Sequence, residues 1–263
     1  MRIRKHYKTV VVSDIHLGSK YSKVNEVIEF LKSVNTDVLI LNGDIIDGWQ
    51  LSKPARTWQK EYTKLFKIIM KMMENCGTKV IYISGNHDDF LTHFINIKIA
   101  NILICRDYIL NSGDKKYFVT HGDIFDHVTS HMRWVAKLGD VSYNILLRIN
   151  HLYNLYRLKR GKPYYPLSQY IKNKVKIAVS NSSGMEDMLT DLAKAKKCQG
   201  VICGHIHRAE DRMIKGIHYL NSGDWVETMS ALLEDEDNNW TIYRYRDSNQ
   251  YSDSDSAPAQ LHE

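Results

Sequence analysis

Five short polar motifs follow one another along the chain, and each comes directly after an apolar run. A short apolar run that ends in polar residues is typical of a strand buried in a sheet. In an α/β fold, the loops at the carboxyl ends of the strands form the functional site. The pattern therefore predicts strands whose polar ends meet. The motifs are Asp14-x-His16, Gly43-Asp44, Gly85-Asn86-His87-Asp88, His121-Gly122-Asp123 and Gly204-His205-Ile206-His207.

The chain between the motifs alternates between helix and strand patterns. Apolar residues at helical spacing predict helices over residues 24–34, 57–75 and 185–197, and Gly77 suits the C-terminal cap of the second. Short apolar or β-branched runs predict strands at residues 9–12, 38–41, 80–83, 117–120, 200–203, 213–220, 230–233 and 241–245. The fold class is therefore α/β, and the last, hairpin-like strands predict a second sheet packed on the first.

Composition excludes several classes of protein. At 263 residues, with 43% hydrophobic and 25% charged residues, the chain matches a globular protein. No apolar run is long enough for a membrane-spanning helix, and the N-terminal segment lacks the apolar region of a secretory signal. The four cysteines have no CxxC spacing, so we expect buried, reduced thiols and a cytoplasmic protein. The polar residues 248–263 predict a disordered tail.

One segment departs from the α/β alternation. Residues 126–179 contain ten Lys or Arg and two Asp, so this segment carries +8 and the rest of the chain −2, for a net charge of +6. Apolar residues from Trp134 to Tyr156 recur every three or four positions, which predicts one or two amphipathic helices. A basic turn over residues 157–163 and a helical piece over 168–179 follow. We interpret residues 126–179 as a helical insertion, here named the basic insertion, in a core formed by residues 1–125 and 180–247.

The motif side chains suit two divalent metal ions. Two hard cations about 3.5–4 Å apart require carboxylate, amide and imidazole ligands, with one carboxylate shared between them. Residues at i and i+2 in a strand-end loop point the same way, and Asp44, alone after its strand, suits the shared position. The predicted first site is Asp14, His16, Asp44 and His207, and the predicted second site is Asp44, Asn86, His121 and His205.

This ligand set predicts hydrolysis of a phosphate ester or anhydride. A water that bridges two cations loses a proton near neutral pH, and the resulting hydroxide attacks phosphorus. His87 follows a predicted ligand, and we expect it to protonate or stabilise the leaving oxygen. We expect Asp88 to orient His87 by accepting a hydrogen bond from its other ring nitrogen. Each motif alone is more often a turn, but turn formation does not explain five of them in order.

Over about residues 9–225, the motifs resemble those of the calcineurin-like metallophosphoesterases. The resemblance implies a four-layer αββα sandwich with a two-metal site, often occupied by manganese and in some members by iron or zinc. Within that superfamily, three segments resemble the UDP-2,3-diacylglucosamine hydrolases. They are residues 13–18 (SDIHLG), 42–49 (NGDIIDGW) and 203–208 (CGHIHR).

The narrower resemblance implies a substrate. Those hydrolases cleave a sugar–nucleotide pyrophosphate of lipid A synthesis to UMP and 2,3-diacylglucosamine 1-phosphate, and carry a helical lid over the acyl chains at the position of the basic insertion. A lid function would place lipid tails on its apolar residues and the diphosphate, or the inner face of the cytoplasmic membrane, on its cations. One departure stands against it, because those enzymes typically have Arg where this chain has His87.

The sequence alone is compatible with three functions. They are the lipid-linked pyrophosphatase, a generic phosphodiesterase or nuclease, which His87 favours, and a non-catalytic scaffold. The basic insertion also suits nucleic acid, although we favour this partner less. Core packing and a role in the substrate cleft explain Trp49 equally well. The residues predicted to contact substrate are Asp123, Arg157, Lys159, Arg160 and Arg208.

Overall fold

Two β-sheets pack face to face, and helices pack on their outer faces. The computed structural model describes residues 4–54, 57–123, 147–166 and 185–245. The helices are α1 (Val24–Ser33), α2 (Gly48–Leu51), α3 (Lys60–Cys76), α4 (residues 147–159) and α5 (Met185–Ala195), with a 3-10 helix at Asp89–Phe94. The strands are β1 (Lys5–Val12), β2 (Val34–Asn42), β3 (Lys79–Ile83), β4 (Lys98–Ile99), β5 (Ile102–Cys105), β6 (Asp107–Ser112), β7 (Lys115–Thr120), β8 (Gly200–Cys203), β9 (Glu210–Ile214), β10 (Ile217–Asn221), β11 (Ser230–Glu234) and β12 (Trp240–Arg244).

The first sheet has seven strands in the order β12-β11-β1-β2-β3-β5-β4. Its centre is parallel, and the antiparallel strands β11, β12 and β4 lie at its edges. Central parallel strands are buried on both faces, which explains why they appear in the sequence as continuous apolar runs. Helices α1 and α3 cover one face of this sheet. As predicted, α3 ends at Gly77, which has a left-handed φ of 68°.

The second sheet has five strands in the order β6-β7-β8-β10-β9. Its inner face meets the first sheet in an apolar layer that includes Val11 and Ile40 from the first sheet and Val119 and Ile202 from the second. Helix α5 packs on its outer face through residues that include Leu189. The layers are therefore helix, sheet, sheet and helix, and the predicted four-layer sandwich is confirmed.

The sequence pattern was wrong for one strand and missed three others. Residues 213–220 were predicted as a single strand, but they belong to the antiparallel pair β9 and β10. The chain turns at Lys215 and Gly216, whose φ angles are 49° and 80°. A two-residue turn with positive φ at both residues fits the twist of the two strands of a hairpin. Lys at the first turn position is not typical of such a turn, so the sequence did not predict it. Strands β4, β5 and β6 were not predicted.

The structure describes residues 147–166 of the basic insertion. Helix α4 follows the predicted periodicity to Tyr156 and continues past Arg157, where the turn was predicted to begin. The amide of Asn154 holds the segment after the helix, because it donates to Tyr165 O (2.8 Å) and accepts from Tyr165 N (2.7 Å). The predicted helical piece at 168–179 and the tail at 248–263 lie outside the described residues, so the predicted domain limits stay predictions.

The described residues also test the expectations that the chain has no membrane-spanning helix and that its thiols are buried and reduced. Within the described ranges, no helix is both long and apolar enough to cross a lipid bilayer. All four cysteines are free, and Cys105, Cys198 and Cys203 are buried, as predicted. Cys76 is exposed, which corrects the prediction for this thiol, because the last turn of α3 faces solvent there.

Candidate metal centre

The motif loops of the two sheets meet at one end of the sandwich. The loop after β1 runs beside the loop after β2, since Asp14 N donates to Gly43 O (3.0 Å) and His16 N donates to Asp44 O (2.9 Å). From the second sheet, His205 N donates to Asp14 Oδ2 (3.0 Å). These hydrogen bonds bring the polar strand ends of both sheets together.

Five of the predicted ligands have a left-handed backbone conformation. Residues other than glycine rarely adopt positive φ, and each such residue costs on the order of 1 kcal/mol. Such conformations persist where the surrounding structure imposes them, and they concentrate at functional sites. The backbone hydrogen bonds between the loops impose them here. The residues are Asp14 (52°), His16 (51°), Asp44 (52°), His205 (66°) and His207 (53°).

Asp14 and Asp44 are buried, and each directs one carboxylate oxygen towards imidazoles. Asp14 Oδ1 lies 3.1 Å from His207 Nε2, while its Oδ2 accepts the backbone hydrogen bond from the second sheet. Asp44 Oδ1 accepts from His87 N (2.9 Å), and its Oδ2 lies 3.3 Å from His121 Nε2 and 3.7 Å from His16 Nε2. Asp44 therefore faces imidazoles from both predicted metal sites, as a shared carboxylate would.

The ring of His121 is oriented by the backbone beneath it. His121 is fully buried, and its Nδ1 lies 2.9 Å from Asn42 O, which fixes the tautomer with the proton on Nδ1. Its Nε2 then faces Asp44 Oδ2 at 3.3 Å. A carbonyl that holds the outer nitrogen of a ligating imidazole is common around protein-bound metals. His121 is therefore held in the orientation that a metal ligand needs.

The carboxylates and imidazoles shift one another's pKa. Burial raises the pKa of Asp14 and Asp44, but the facing imidazoles, above all His207 and His121 respectively, lower both pKa values by more. Burial lowers the pKa of His121, but Asp44 and Asp14 raise it well above its ordinary value. In the metal-free chain a proton on His121 therefore balances the carboxylates. A cation would take its place, so we expect metal binding to release a proton.

Glycines allow the loops to approach this closely. A Cβ at Gly85 would lie 2.6 Å from the backbone N of Asp44 and 2.9 Å from Cδ2 of His121. Gly43 has φ of 80°, and a Cβ there would collide with the ring of His121. Both positions therefore require glycine for the two sheets to share one centre.

The donor set fits divalent cations. Four predicted ligands each bury a side-chain atom that has no hydrogen-bond partner in the described part of the chain, namely Asp14 Oδ1, His16 Nε2, Asn86 Oδ1 and His121 Nε2. Buried polar atoms are normally paired, so four such atoms together indicate a ligand. Candidate ligand atoms lie within 4.8 Å of one another in three sets: Asp14, His16 and His207; Asp44, His121 and His205; and His16, Asp44 and His87.

His87 is oriented by Asp47 and not by Asp88, so that prediction was wrong. His87 Nδ1 lies 3.1 Å from Asp47 Oδ1, and its ring meets the ring of His16 edge-on at 4.8 Å. Asp47 also caps α2 by accepting from Gln50 N (2.9 Å). Burial raises the pKa of Asp47, but the hydrogen bonds and charges of His16 and His87 lower this pKa by a larger amount. The carboxylate therefore stays ionised.

Asp88 instead holds the loop that carries the shared carboxylate. It is fully buried and accepts from Ile45 N (3.1 Å), Ile46 N (2.8 Å) and the hydroxyl of Tyr82 (3.0 Å). Burial, together with the negative charge of Asp44, raises the pKa of Asp88 to about 6. The side chain therefore points into the core, away from the position where a substrate would lie.

Asp88→Ala is expected to lower the free energy of unfolding by about 2–4 kcal/mol, because it leaves two buried N–H groups and a buried hydroxyl unpaired. Tyr82→Phe removes one of these hydrogen bonds and is expected to cost about 1 kcal/mol. Urea unfolding of the three proteins measures both. If Asp88→Ala keeps full stability but loses turnover, Asp88 acts in catalysis after all.

The predicted substrate-binding residues lie in different surroundings. Asp123 is half-buried and helps to raise the pKa of His121, so it lies near the centre. Arg208 directly follows a predicted ligand, and its Nη2 lies 2.6 Å from Glu210 Oε1. Their contact with substrate stays a prediction.

Three residues of the basic insertion were also predicted to contact substrate. Arg157 stacks on the rings of Tyr153 and Tyr165 at 5.7 and 5.6 Å, and Arg160 stacks on Tyr156 at 5.1 Å. Lys159 is exposed at the end of α4. These contacts are local to residues 147–166, and a role of the three cations in substrate binding stays a prediction.

Sequence reasoning missed a polar cluster that ties the two sheets together. Ser13 Oγ lies 2.7 Å from Ser222 Oγ, and Ser222 Oγ also donates to Cys203 O (3.1 Å). The amide of Asn221 donates to Gly204 O (2.9 Å). The sequence of residues 221–224 is compatible with a turn and also with a segment that lines the site from the second sheet. The cluster fixes the loops after β1 and β8 relative to each other.

A comparison with solved structures gives matches at low sequence identity. Vps29 from Entamoeba histolytica in complex with Zn²⁺ is 13% identical over 90% of both chains, with a TM-score of 0.46. An archaeal phosphodiesterase is 13% identical over 90% of this chain and 98% of that one, with a TM-score of 0.44. A predicted phosphoesterase from Streptococcus pneumoniae TIGR4 is 13% identical over 90% and 97%, with a TM-score of 0.37. No curated protein sequence gives a significant match.

The family assignment rests on the sequence itself. The family model of the calcineurin-like phosphoesterases matches residues 7–209, which is most of the chain. This range contains all five polar motifs and every residue of the predicted metal sites. The four layers and the buried His/Asp clusters agree with that match. The chain therefore belongs to the calcineurin-like phosphoesterase family.

Proposed function

We propose that this protein is a two-metal phosphoesterase that hydrolyses a phosphodiester or a phosphate anhydride. The observation that carries the proposal is the position of Asp44, whose Oδ2 lies 3.3 Å from His121 Nε2 and 3.7 Å from His16 Nε2. One carboxylate thus faces imidazoles of two ligand sets, and the buried atoms His16 Nε2 and His121 Nε2 lack hydrogen-bond partners among the described residues. This arrangement favours two cations held side by side.

We assign four residues to each cation and let them share one carboxylate. Asp14, His16, Asp44 and His207 would hold the first, and Asp44, Asn86, His121 and His205 the second. When bound, two cations neutralise charge on a phosphoryl group and lower the pKa of a coordinated water. Imidazole with carboxylate and amide oxygen suits Mn²⁺, and also Fe or Zn²⁺. We propose Mn²⁺ as the first metal to test.

His87 is the residue placed to handle the leaving group. In hydrolysis the oxygen of water forms the new bond to phosphorus, the bond from phosphorus to the leaving oxygen breaks, and the leaving oxygen takes up a proton. Asp47 Oδ1 lies 3.1 Å from Nδ1 of His87, so we assign the other ring nitrogen to the leaving oxygen. His87 is then oriented as a general acid, with Asp47 as its positioning residue.

The substrate is proposed at the level of its chemical class. The finer prediction, UDP-2,3-diacylglucosamine, rests on the resemblance of three motif segments, and His87 in place of Arg favours the broader phosphodiesterases. The cations of residues 147–166 suit a phosphate-rich ligand. A membrane surface, a lipid-linked diphosphate or nucleic acid would each supply one, so these partners remain proposals for the basic insertion.

Hydrolysis of three substrates by the Mn²⁺-loaded protein tests the proposal. The panel is bis-p-nitrophenyl phosphate, UDP-2,3-diacylglucosamine and single-stranded DNA. We expect cleavage of the generic diester. Much faster release of UMP would establish the lipid A substrate, and DNA cleavage that falls steeply with salt would establish a nuclease. No cleavage of any of the three, in a protein that binds metal, would leave the scaffold function.

A further inference from the structure

We propose that Trp49 and Phe90 form an aromatic wall that binds a flat, aromatic leaving group of the substrate, such as a nucleoside base or an aryl ring. The inference rests on the proposed phosphoesterase function, because it assumes that the leaving group of the substrate lies on the same side of the metal centre as His87. It assigns a role to two exposed rings that the metal sites do not use.

Trp49 lies directly against the proposed general acid. Its ring centroid is 4.2 Å from that of His87, with the two planes tilted by 38°. The side chain is nevertheless 43% exposed, so protein covers only part of the indole. We therefore place a group bonded to the oxygen that His87 protonates beside the exposed part of this indole.

The local structure holds the indole in place without burying it. Asp47 caps α2, and Gly48 N donates to His87 O (3.0 Å), which joins the start of the helix to the His87 loop. Within α2, Gln50 is buried and Leu51 packs on the core. Trp49 is thus not required to fill the core, which removes the core-packing interpretation of this residue.

Phe90 extends the wall beside Trp49. Its ring covers Gly48, since a Cβ at that glycine would lie 2.9 Å from Phe90 Cδ1. Phe90 is 44% exposed, close to the value for Trp49. Two half-exposed rings next to Gly48 offer an apolar aromatic surface. Aromatic groups stack on such a surface with little dependence on their identity. An aliphatic or strongly charged leaving group would gain less from it.

Binding of two phosphonates tests the wall without turnover. Benzylphosphonate carries a methylene in place of the ester oxygen of phenyl phosphate, and ethylphosphonate is its aliphatic counterpart; neither is hydrolysed. We expect the Mn²⁺-loaded protein to bind benzylphosphonate at least about fivefold more tightly in calorimetric titration. Trp49→Ala should abolish this preference and keep the affinity for inorganic phosphate, and Trp49→Phe should retain most of it.

The matched control is Trp58→Ala. Trp58 is 47% exposed, but its ring packs with Tyr62 and Phe66 of α3, so its removal should leave the preference intact. Equal affinity of the wild type for both phosphonates would overturn the inference, and so would loss of inorganic phosphate binding in Trp49→Ala. Failure of the proposed function is distinct, because the wild type would then bind no phosphate and hydrolyse no ester.

Discussion

Replacing Asp44 with Asn is expected to reduce phosphodiester turnover by on the order of a thousandfold or more. Asn keeps the shape of the side chain and can still accept from His87 N, but it removes the negative charge that faces His121 and His16. Charge stabilisation by metals contributes several kcal/mol to such reactions, and each 1.4 kcal/mol is about tenfold in rate. Steady-state hydrolysis of bis-p-nitrophenyl phosphate in Mn²⁺ measures the loss.

Asp107→Asn is the matched control for this variant. Asp107 is an exposed carboxylate at the start of β6, 3.8 Å from Lys196 Nζ, and exposed ion pairs contribute little. It should hydrolyse the diester at the wild-type rate. Turnover in Asp44→Asn within a few fold of the wild type would show that Asp44 does not join two metal ions.

His87→Ala is expected to reduce turnover by about a hundredfold to a thousandfold and to leave metal binding unchanged. The loss should depend on the leaving group. A p-nitrophenolate departs readily without a proton, whereas an alkoxide requires one, so an alkyl phosphodiester should suffer more than its nitrophenyl analogue. Rates for the two esters, with metal content measured on the same samples, give the comparison.

The competing role for His87 is that of a metal ligand. Its ring nitrogen belongs to a set with His16 and Asp44 in which candidate ligand atoms lie within 4.8 Å of one another. Loss of one metal ion per chain in His87→Ala would support that role and contradict the general acid. Asp47→Asn should lower turnover by about 10–100-fold, because Asp47 positions the ring of His87 and also lies 3.6 Å from Nδ1 of His16.

The position of the centre could be predicted from the sequence because each buried parallel strand leaves a local pattern, a short apolar run that ends in polar residues. The apolar runs at 38–41 and 80–83 could only be buried strands, and the polar residues after them had to lie at strand ends. Because the ends of adjacent strands lie side by side, the loops after them must meet, and this prediction requires no knowledge of side-chain rotamers. The α/β class and the second sheet followed from the same pattern, whereas the four layers were implied by the family resemblance.

Contacts between side chains were less predictable. Asp88 was expected to pair with His87 because the two are neighbours, but in this turn the carboxylate faces the core and the imidazole faces the centre. The partner of His87 is Asp47, which lies in another loop and caps α2. Spacing along the chain carries no information about such a pairing, since it depends on the packing of two loops.

The most direct test of the two-metal centre is a titration of the metal-stripped protein with Mn²⁺, in which bound metal and hydrolysis of bis-p-nitrophenyl phosphate are followed together. We expect two ions to bind per chain, binding to release protons as His121 gives up its own, and hydrolysis to appear only as the centre fills. Full hydrolysis by the metal-stripped protein, or no metal binding at all, would contradict this expectation.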